Sequence, residues 1–260
     1  MSPGSGGPDA YGRIAYSGLI AWPERLQREA PLLQRVLAGA PSRQVLDLGC
    51  GSGEHTRFLG SLGFEATGVD ASRDQLGAAR AADPQGRYLE AGLTGLAGTV
   101  PEGQGAAICL GNTLPHLCEE AELQAFFSGL VRCLLPGAPF LLQLLNSDRI
   151  LDRGERTFPV VLRPGEAEDE TTVFLRLMTH HGGGRLTFTP ATLRYRPGAG
   201  TPLELKAAHD VALRGWRRAE VEAQLGAAGF RVRETFGTMT GEPWQPTSSD
   251  LVVVAVPDRA

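Results

Sequence analysis

The chain has 260 residues, 42% of them hydrophobic, with 25 basic and 29 acidic side chains and a formal net charge of −4. That is enough apolar content for a buried core, while a slightly acidic balance with no basic stripe excludes the electrostatic footprint of a nucleic-acid or anionic-membrane binder. The four cysteines (Cys50, Cys109, Cys118, Cys133) form no Cys-x-x-Cys pair, which excludes a disulfide framework or zinc knuckle and suits the reduced thiols of a cytoplasmic protein.

Residues 1–10 are rich in Gly, Pro and Ser with no apolar run, so a disordered tail and no signal peptide are expected. From Tyr11 to Leu37 apolar residues recur at helical spacing, and Trp22, Arg25 and Glu29 share a face. This segment, which includes Tyr16, is read as a helical cover over a ligand cleft. The most apolar stretch, 129–145, is broken by Arg132 and Pro136-Gly137, so no membrane span is expected.

Val45–Leu48 reads as a buried strand around Asp47. Gly49, Cys50, Gly51 and Gly53 follow, then a helix from Glu54 to Leu62. Strand, glycine turn and helix bring backbone N–H groups and a helix N-terminus up to a ligand. The spacing is G-x-G-x-G, not the G-x-G-x-x-G of dinucleotide sites. A second strand, Phe64–Asp70, ends in an acid roughly 20 residues beyond the turn, where doubly wound folds hold ribose hydroxyls. Ser72-x-x-Gln75 is a capping box for the next helix.

Arg87–Glu90 is a third strand, followed by the loop Ala91-Gly92-Leu93. Ala106–Leu110 is a fourth strand, leading into Gly111–His116, a helix over Glu119–Leu135 and a fifth strand, Phe140–Leu145. Strands alternating with helices imply a parallel sheet covered on both faces. Between Arg156 and Trp216 the period changes to two, as an antiparallel insertion. Its single apolar face, carrying Val160, Leu162, Val173, Leu175, Leu177, Leu186, Phe188, Leu193, Tyr195, Leu203 and Leu205, is expected to be buried over the sheet's carboxyl edge as a lid. A helix around Ala219–Ala228 and strands near Arg231–Thr235 and Leu251–Ala255 return to the parent pattern.

The expected fold is therefore α/β: a doubly wound, mostly parallel seven-stranded sheet with an N-terminal helical cover and an inserted antiparallel β lid. Its parts are a tail (1–10), a core with its cover (11–150), a substrate lid (151–213) and a return to the core (214–260).

Asp-Leu-Gly-Cys-Gly-Ser-Gly over 47–53 resembles the first motif of the S-adenosylmethionine (SAM)-dependent methyltransferases of the Rossmann-like class. Leu110-Gly-Asn-Thr-Leu-Pro-His116 is similar to a stretch of the glycine N-methyltransferase group. The Trp22/Arg25 helix, Asp70-Ala-Ser72, Glu90-Ala91 and Asn146-x-Asp148-x-Ile-Leu151 line up with that group in order. The resemblance covers roughly residues 11–151 and the final helix and strands, and is weak across the lid.

The resemblance implies SAM as methyl donor. Asp47, Gly49, Cys50 and Gly51 would lie along its methionine part and Asp70 would hold the ribose. Ala71, Gln75, Gly92 and Leu93 would flank the adenine. Tyr16, Trp22 and Arg25 would close over the cofactor, with Arg25 toward the methionine carboxylate as a charge-assisted fork. Leu110 and His116 would touch the cofactor, and Asn112 would face the methyl acceptor. His116, Tyr16 and Asn112 are the candidate catalytic groups; His180 and His181 are further candidates for a base but read better as a hairpin tip.

Two departures from the group matter. Gly92-Leu93 stands where the group has an Asn-Trp pair, and Leu145 stands where glycine-specific enzymes carry an arginine for the substrate carboxylate. The function read is methyl transfer to a nitrogen or oxygen of a small molecule other than free glycine. The alternatives are an NAD(P)-dependent oxidoreductase, disfavoured by the glycine spacing, and a non-catalytic SAM-binding protein. No metal, nucleic-acid or membrane partner is expected. Oligomeric state is left open between a monomer and a homodimer paired along an exposed lid edge.

Overall fold

The computed structural model describes residues 20–165 and 167–258. Helix α1 (Trp22–Leu37) is followed by β1 (Gln44–Leu48), α2 (Glu54–Ser61), β2 (Glu65–Asp70), α3 (Arg73–Ala82) and β3 (Arg87–Glu90). Next come β4 (Ala106–Cys109), α4 (Glu120–Cys133), β5 (Phe140–Leu145) and α5 (Ser147–Arg153). The insertion contributes β6 (Val161–Pro164), β7 (Thr171–His180), β8 (Arg185–Tyr195), β9 (Leu203–Ala208) and β10 (Val211–Arg214). Helix α6 (Arg218–Ala227), β11 (Phe230–Phe236) and β12 (Asp250–Pro257) follow. Tyr16 and the tail lie outside the described residues. The helix expected from Tyr11 is seen from Trp22, with Pro23 in its first turn, where a missing N–H breaks no helical bond.

The seven-stranded sheet runs β11-β12-β5-β4-β1-β2-β3. β1 to β5 are mutually parallel, and β12 is antiparallel to both of its neighbours. The continuous apolar runs are explained by the two-residue period of a strand buried on both faces. Leu46, Leu48, Phe140 and Leu142 point into a layer with Phe126 and Phe127 of α4 and Leu225 of α6. Val45, Ile108 and Leu141 point the other way, onto Leu32, Leu33 and Val36 of α1. Because β1 lies between β2 and β4, the chain reverses its direction of travel there. Such a switch point opens a crevice at the carboxyl ends of the strands.

The insertion is a second sheet, β6-β7-β8, whose far edge is shared by β9 opposite Ala191–Tyr195 and β10 opposite Arg185–Phe188. β9 and β10 thus form one interrupted edge strand. Met178, Leu186, Phe188, Val211 and Leu213 pack with Leu151 and Phe158. The insertion is tied to the core by Arg185–Glu119 at 3.0 Å and by the Trp216 indole N–H, which donates to the Leu117 carbonyl at 2.8 Å.

The expectation that one apolar face of this insertion would be buried is corrected here. Leu186 and Phe188 do face the core. Leu162, Leu177, Leu203 and Leu205 are exposed, on the side away from it. The strands are apolar on both faces, and the even-numbered Phe174 and Met178 of β7 fill the buried one.

Candidate cofactor site

At the carboxyl end of β1 the glycine turn is built on left-handed backbone, with φ of 72° at Gly49, 54° at Gly51 and 83° at Gly53. Glycine occupies that region without strain. The turn is fastened to the next strand through the Val69 carbonyl, which accepts from the N–H groups of Gly49 at 2.8 Å and Cys50 at 3.1 Å. Asp47 lies beneath it, 2% exposed, where its Oδ2 accepts from the Thr56 hydroxyl at 2.7 Å. Burial pushes the Asp47 carboxyl up from its ordinary range, against the opposing pull of His55 and the Thr56 hydroxyl. Burial, reinforced by the charges of Asp47 and Asp70, also pushes the Cys50 thiol far up, so that it stays protonated.

Asp70, at the tip of β2, has one carboxylate oxygen 2.9 Å from the Gly51 N–H and the other 2.8 Å from the Ser72 N–H. It therefore locks the glycine turn to the start of α3. A carboxylate offers about four lone-pair positions, so two backbone bonds leave capacity for a vicinal diol. Ser72 caps α3 by accepting from the Gln75 N–H at 3.3 Å. A Cβ added at Gly51 would meet only Gln75 Oε1, at 3.7 Å, and one at Gly92 would meet nothing within 4 Å. Ala71 is exposed and Leu93 half-buried, so the region in front of these residues is open.

Helix α1 overlies the turn. Arg25 Nε donates to Glu29 Oε1 at 2.8 Å, and Glu29 Oε2 lies 2.7 Å from Nε2 of His55 in the first turn of α2. Burial of Glu29 opposes its charge, but the His55 hydrogen bond and the Arg25 guanidinium outweigh this and hold its pKa below the ordinary value. The Trp22 ring meets His55 edge-on at 5.3 Å and carries the Arg25 guanidinium 4.9 Å from its centroid. Among the described residues the buried Trp22 indole N–H has no hydrogen-bond partner. Arg25 reaches across to β4: its Nη2 is 3.9 Å from where a Cβ would stand on Gly111.

Beyond β4, the Gly111 N–H donates to Gln143 Oε1 at 2.8 Å, and Gln143 Nε2 donates to Asp250 at 2.8 Å. Asn112 is the one non-glycine residue with positive φ among those described, at 64°. Its Oδ1 accepts from the Leu145 N–H at 3.0 Å, which commits that oxygen to fixing the loop against β5. Leu110 is buried in the α1 layer. His116 ends a short 3₁₀ turn, Leu114–His116, and is exposed. The protein packed around its ring disfavours the imidazolium and pushes its pKa down to about 4, although part of the ring reaches solvent.

Trp22, Arg25, Gly49, Gly51, Asp70, Gln75, Asn112 and His116 are thus arranged along the carboxyl edge of β1, β2 and β4. His180 and His181 are elsewhere, with Nε2 at 2.7 Å from the Glu155 carbonyl and 2.8 Å from the Thr187 hydroxyl, respectively. Sequence reasoning missed His55, Gln143 and Asp250. A histidine two residues after the glycine turn was the available signal for the first; the others meet only through strand pairing. Asn146 is a structural clamp. Its Nδ2 lies 3.1 Å from the Pro246 carbonyl and 3.0 Å from that of Ser248, and its Oδ1 caps α5.

The residues present suit SAM: an acid for the ribose diol, glycines for close approach, a guanidinium for a carboxylate and an indole N–H that has no partner among the described residues. A surface concavity of about 780 Å³ is lined by Gln44, Glu65 and Arg87 at the amino ends of the strands. It lies at the opposite edge of the sheet and has no part in this arrangement. Among the described residues there is no cluster of His, Cys, Asp and Glu that could hold a metal ion, and no helix long and apolar enough to cross a membrane.

Residues 45–137 match the family model of a methyltransferase domain. A 107-residue stretch is 38% identical to an uncharacterized methyltransferase of Synechocystis, spanning 41% of this chain and 49% of that protein. A 140-residue stretch is 30% identical to the glycine/sarcosine N-methyltransferase of Parasynechococcus marenigrum, spanning 52% of this chain and 50% of that protein. The chain thus spans about half the length of these curated relatives. In structure, it is similar to a SAM-dependent methyltransferase from Clostridium acetobutylicum, with a TM-score of 0.74 at 10% identity over 96% of each chain. The likeness to methyltransferases, including the glycine N-methyltransferase group, is borne out, and so is the fold.

Proposed function

We propose that this protein is a SAM-dependent methyltransferase acting on a nitrogen or oxygen of a small molecule other than free glycine. The observation that carries the reading is the Asp70 carboxylate, fixed by the Gly51 and Ser72 N–H groups beside an open glycine turn. Bound SAM would supply a methyl group already activated on a sulfonium.

The protein's own task is then alignment. Asp70 would accept from the ribose hydroxyls, Gln75 and Leu93 would border the adenine, and Arg25 would hold the methionine carboxylate. The Trp22 indole N–H and the short reach between Arg25 and Gly111 fit a ligand between α1 and β4. Orientation of reacting groups can lower a barrier by as much as about 7–11 kcal/mol. His116 would line the acceptor side as a neutral imidazole. A pKa of about 4 makes it a poor proton acceptor at neutral pH, so it serves better to orient the acceptor than to deprotonate it.

The acceptor reading rests on the chemistry at the end of β5. Leu145 offers no charge to a substrate carboxylate, and its N–H is taken by Asn112. A partly apolar amine or hydroxyl compound suits this wall, with residues 151–213 as its lid. Titration calorimetry with SAM and S-adenosylhomocysteine tests cofactor binding, and labelled-methyl transfer into a metabolite extract tests catalysis. Binding without transfer would leave a non-catalytic SAM-binding protein, and binding of NADH alone would overturn the reading.

A further inference from the structure

We propose that His55 is a positioning residue of the cofactor site, acting through Glu29 to aim the Arg25 guanidinium. The role rests on the SAM reading, since Arg25 is the group assigned there to the methionine carboxylate. Helix α1 is anchored unevenly. Its buried side chains are Glu29, Leu32, Leu33, Val36 and Leu37, so the apolar anchor lies in its carboxyl-terminal half. Pro31 is inside the helix, between most of that anchor and the half that carries Trp22 and Arg25. A proline has no N–H for the carbonyl four residues back, here that of Gln27, so the helical ladder loses a bond at that point.

Among the described residues, the hydrogen bond and the ring contact that leave Trp22–Glu29 for another element both end on His55. Its Nε2 lies 2.7 Å from Glu29 Oε2, and its ring meets Trp22 edge-on at 5.3 Å with an interplanar angle of 87°. Glu29, whose pKa is held below the ordinary value, is an ionised carboxylate that only accepts. The proton of this bond therefore sits on His55 Nε2. The other Glu29 oxygen accepts from Arg25 Nε at 2.8 Å. Imidazole, carboxylate and guanidinium thus form one chain, with His55 7% and Glu29 2% exposed. Water has little access there, so removing the imidazole N–H would leave a buried carboxylate oxygen unpaired.

The next residue makes His55 a fixed point. Thr56 donates to Asp47 Oδ2 at 2.7 Å, beneath the glycine turn. Both residues belong to the first turn of α2, which begins directly after Gly53. Successive side chains therefore hold α2 to the floor of the turn and to the cover helix above it. The glycine turn and the guanidinium are registered to one another through a single helix.

Titration calorimetry on the full chain, with S-adenosylhomocysteine and methylthioadenosine, tests this as a double-mutant cycle of His55→Met and Arg25→Met. His55→Met is expected to weaken S-adenosylhomocysteine by about tenfold, the scale of one lost hydrogen bond to a charged group. Methylthioadenosine, which lacks the amino-acid part, is expected to bind as before. In the Arg25→Met background His55→Met is expected to add less than about twofold, because the group it aims is gone. His55→Gln, whose amide nitrogen can take the Nε2 position, is expected to recover most of the affinity. His55→Asn, whose amide stops a methylene short of Glu29, replaces the methionine variant if that one does not fold. Equal weakening of both ligands, additive losses in the double variant, or unchanged affinity in a folded variant overturns the proposal. Those outcomes with normal wild-type binding overturn this role alone, whereas a wild type that does not bind S-adenosylhomocysteine overturns the SAM reading and this role with it.

Discussion

Glu29 and His55 meet at 2.7 Å between the cover helix and the first turn of the helix that follows the glycine turn. The other Glu29 oxygen holds Arg25, so one buried carboxylate fixes the guanidinium that faces Gly111. Replacing Glu29 with Gln removes the buried negative charge that pairs with the Arg25 guanidinium, and Arg25 loses its aim. We expect E29Q to weaken S-adenosylhomocysteine at least tenfold, in line with the roughly 1.5–3 kcal/mol of a hydrogen bond to a charged group. Methylthioadenosine, which lacks the amino-acid part, should bind as to the wild type. Calorimetry with both ligands separates the cases: equal weakening of the two would mean that Glu29 holds the fold rather than Arg25.

Asp70 supports the turn and, in the proposed function, grips the ribose. Asp70→Ala removes the acceptor for the Gly51 and Ser72 N–H groups as well as for the diol. The expected outcome is a loss of about tenfold to hundredfold in S-adenosylhomocysteine affinity, from one or two charge-assisted bonds. A fall in Tm should accompany it. Unchanged affinity in a folded variant would remove Asp70 from the site.

The two glycines of the turn should fail differently. A Cβ on Gly49 would stand 2.4 Å from Thr113 Cγ2, whereas on Gly51 its nearest neighbour would be Gln75 Oε1 at 3.7 Å. Both alanines carry the left-handed backbone cost of about 1–2 kcal/mol. Thermal melts should therefore show G49A as the less stable variant. G51A, whose new methyl group points into open space, should keep more of its stability and lose ligand affinity instead. The reverse order would mean that the open region in front of Gly51 is not the ligand's.

The core was legible because its signals are local. A strand, a glycine turn and an acid at the next strand's tip are contiguous patterns, and β5 was bounded to the residue at Phe140–Leu145. The insertion was legible in its period but not in its sidedness. Alternation says which residues share a face; which face is buried depends on what the sheet packs against, here Leu151 and Phe158. With apolar residues on both sides of β7 and β8, pattern alone had no means of choosing. His55 was missed for a related reason, since its partner Glu29 is 26 residues away and the pair exists only once α1 lies across the turn. Asn112 could be named from the motif, but its bond to Leu145 follows from β4 and β5 being neighbours in the sheet.

His116 gives a prediction in which the sign can be worked out. Its pKa falls from 6.5 to about 4 on folding, so between these values the unfolded chain binds the proton more readily than the folded one. Stability contributed by the neutral ring is fully present above pH 6.5 and is lost as the pH falls toward 4. Urea unfolding at pH 7 and pH 5 should show wild type losing more stability than His116→Gln, with the difference between the two proteins isolating this group from the carboxylates. Part of the ring meets water, which screens the effect and keeps the difference small. The same low pKa means that methyl transfer measured between pH 6 and 8 should show no inflection from His116, and H116Q should lower kcat without changing the shape of the profile. An inflection near neutrality that disappears in H116Q would restore this histidine as the base.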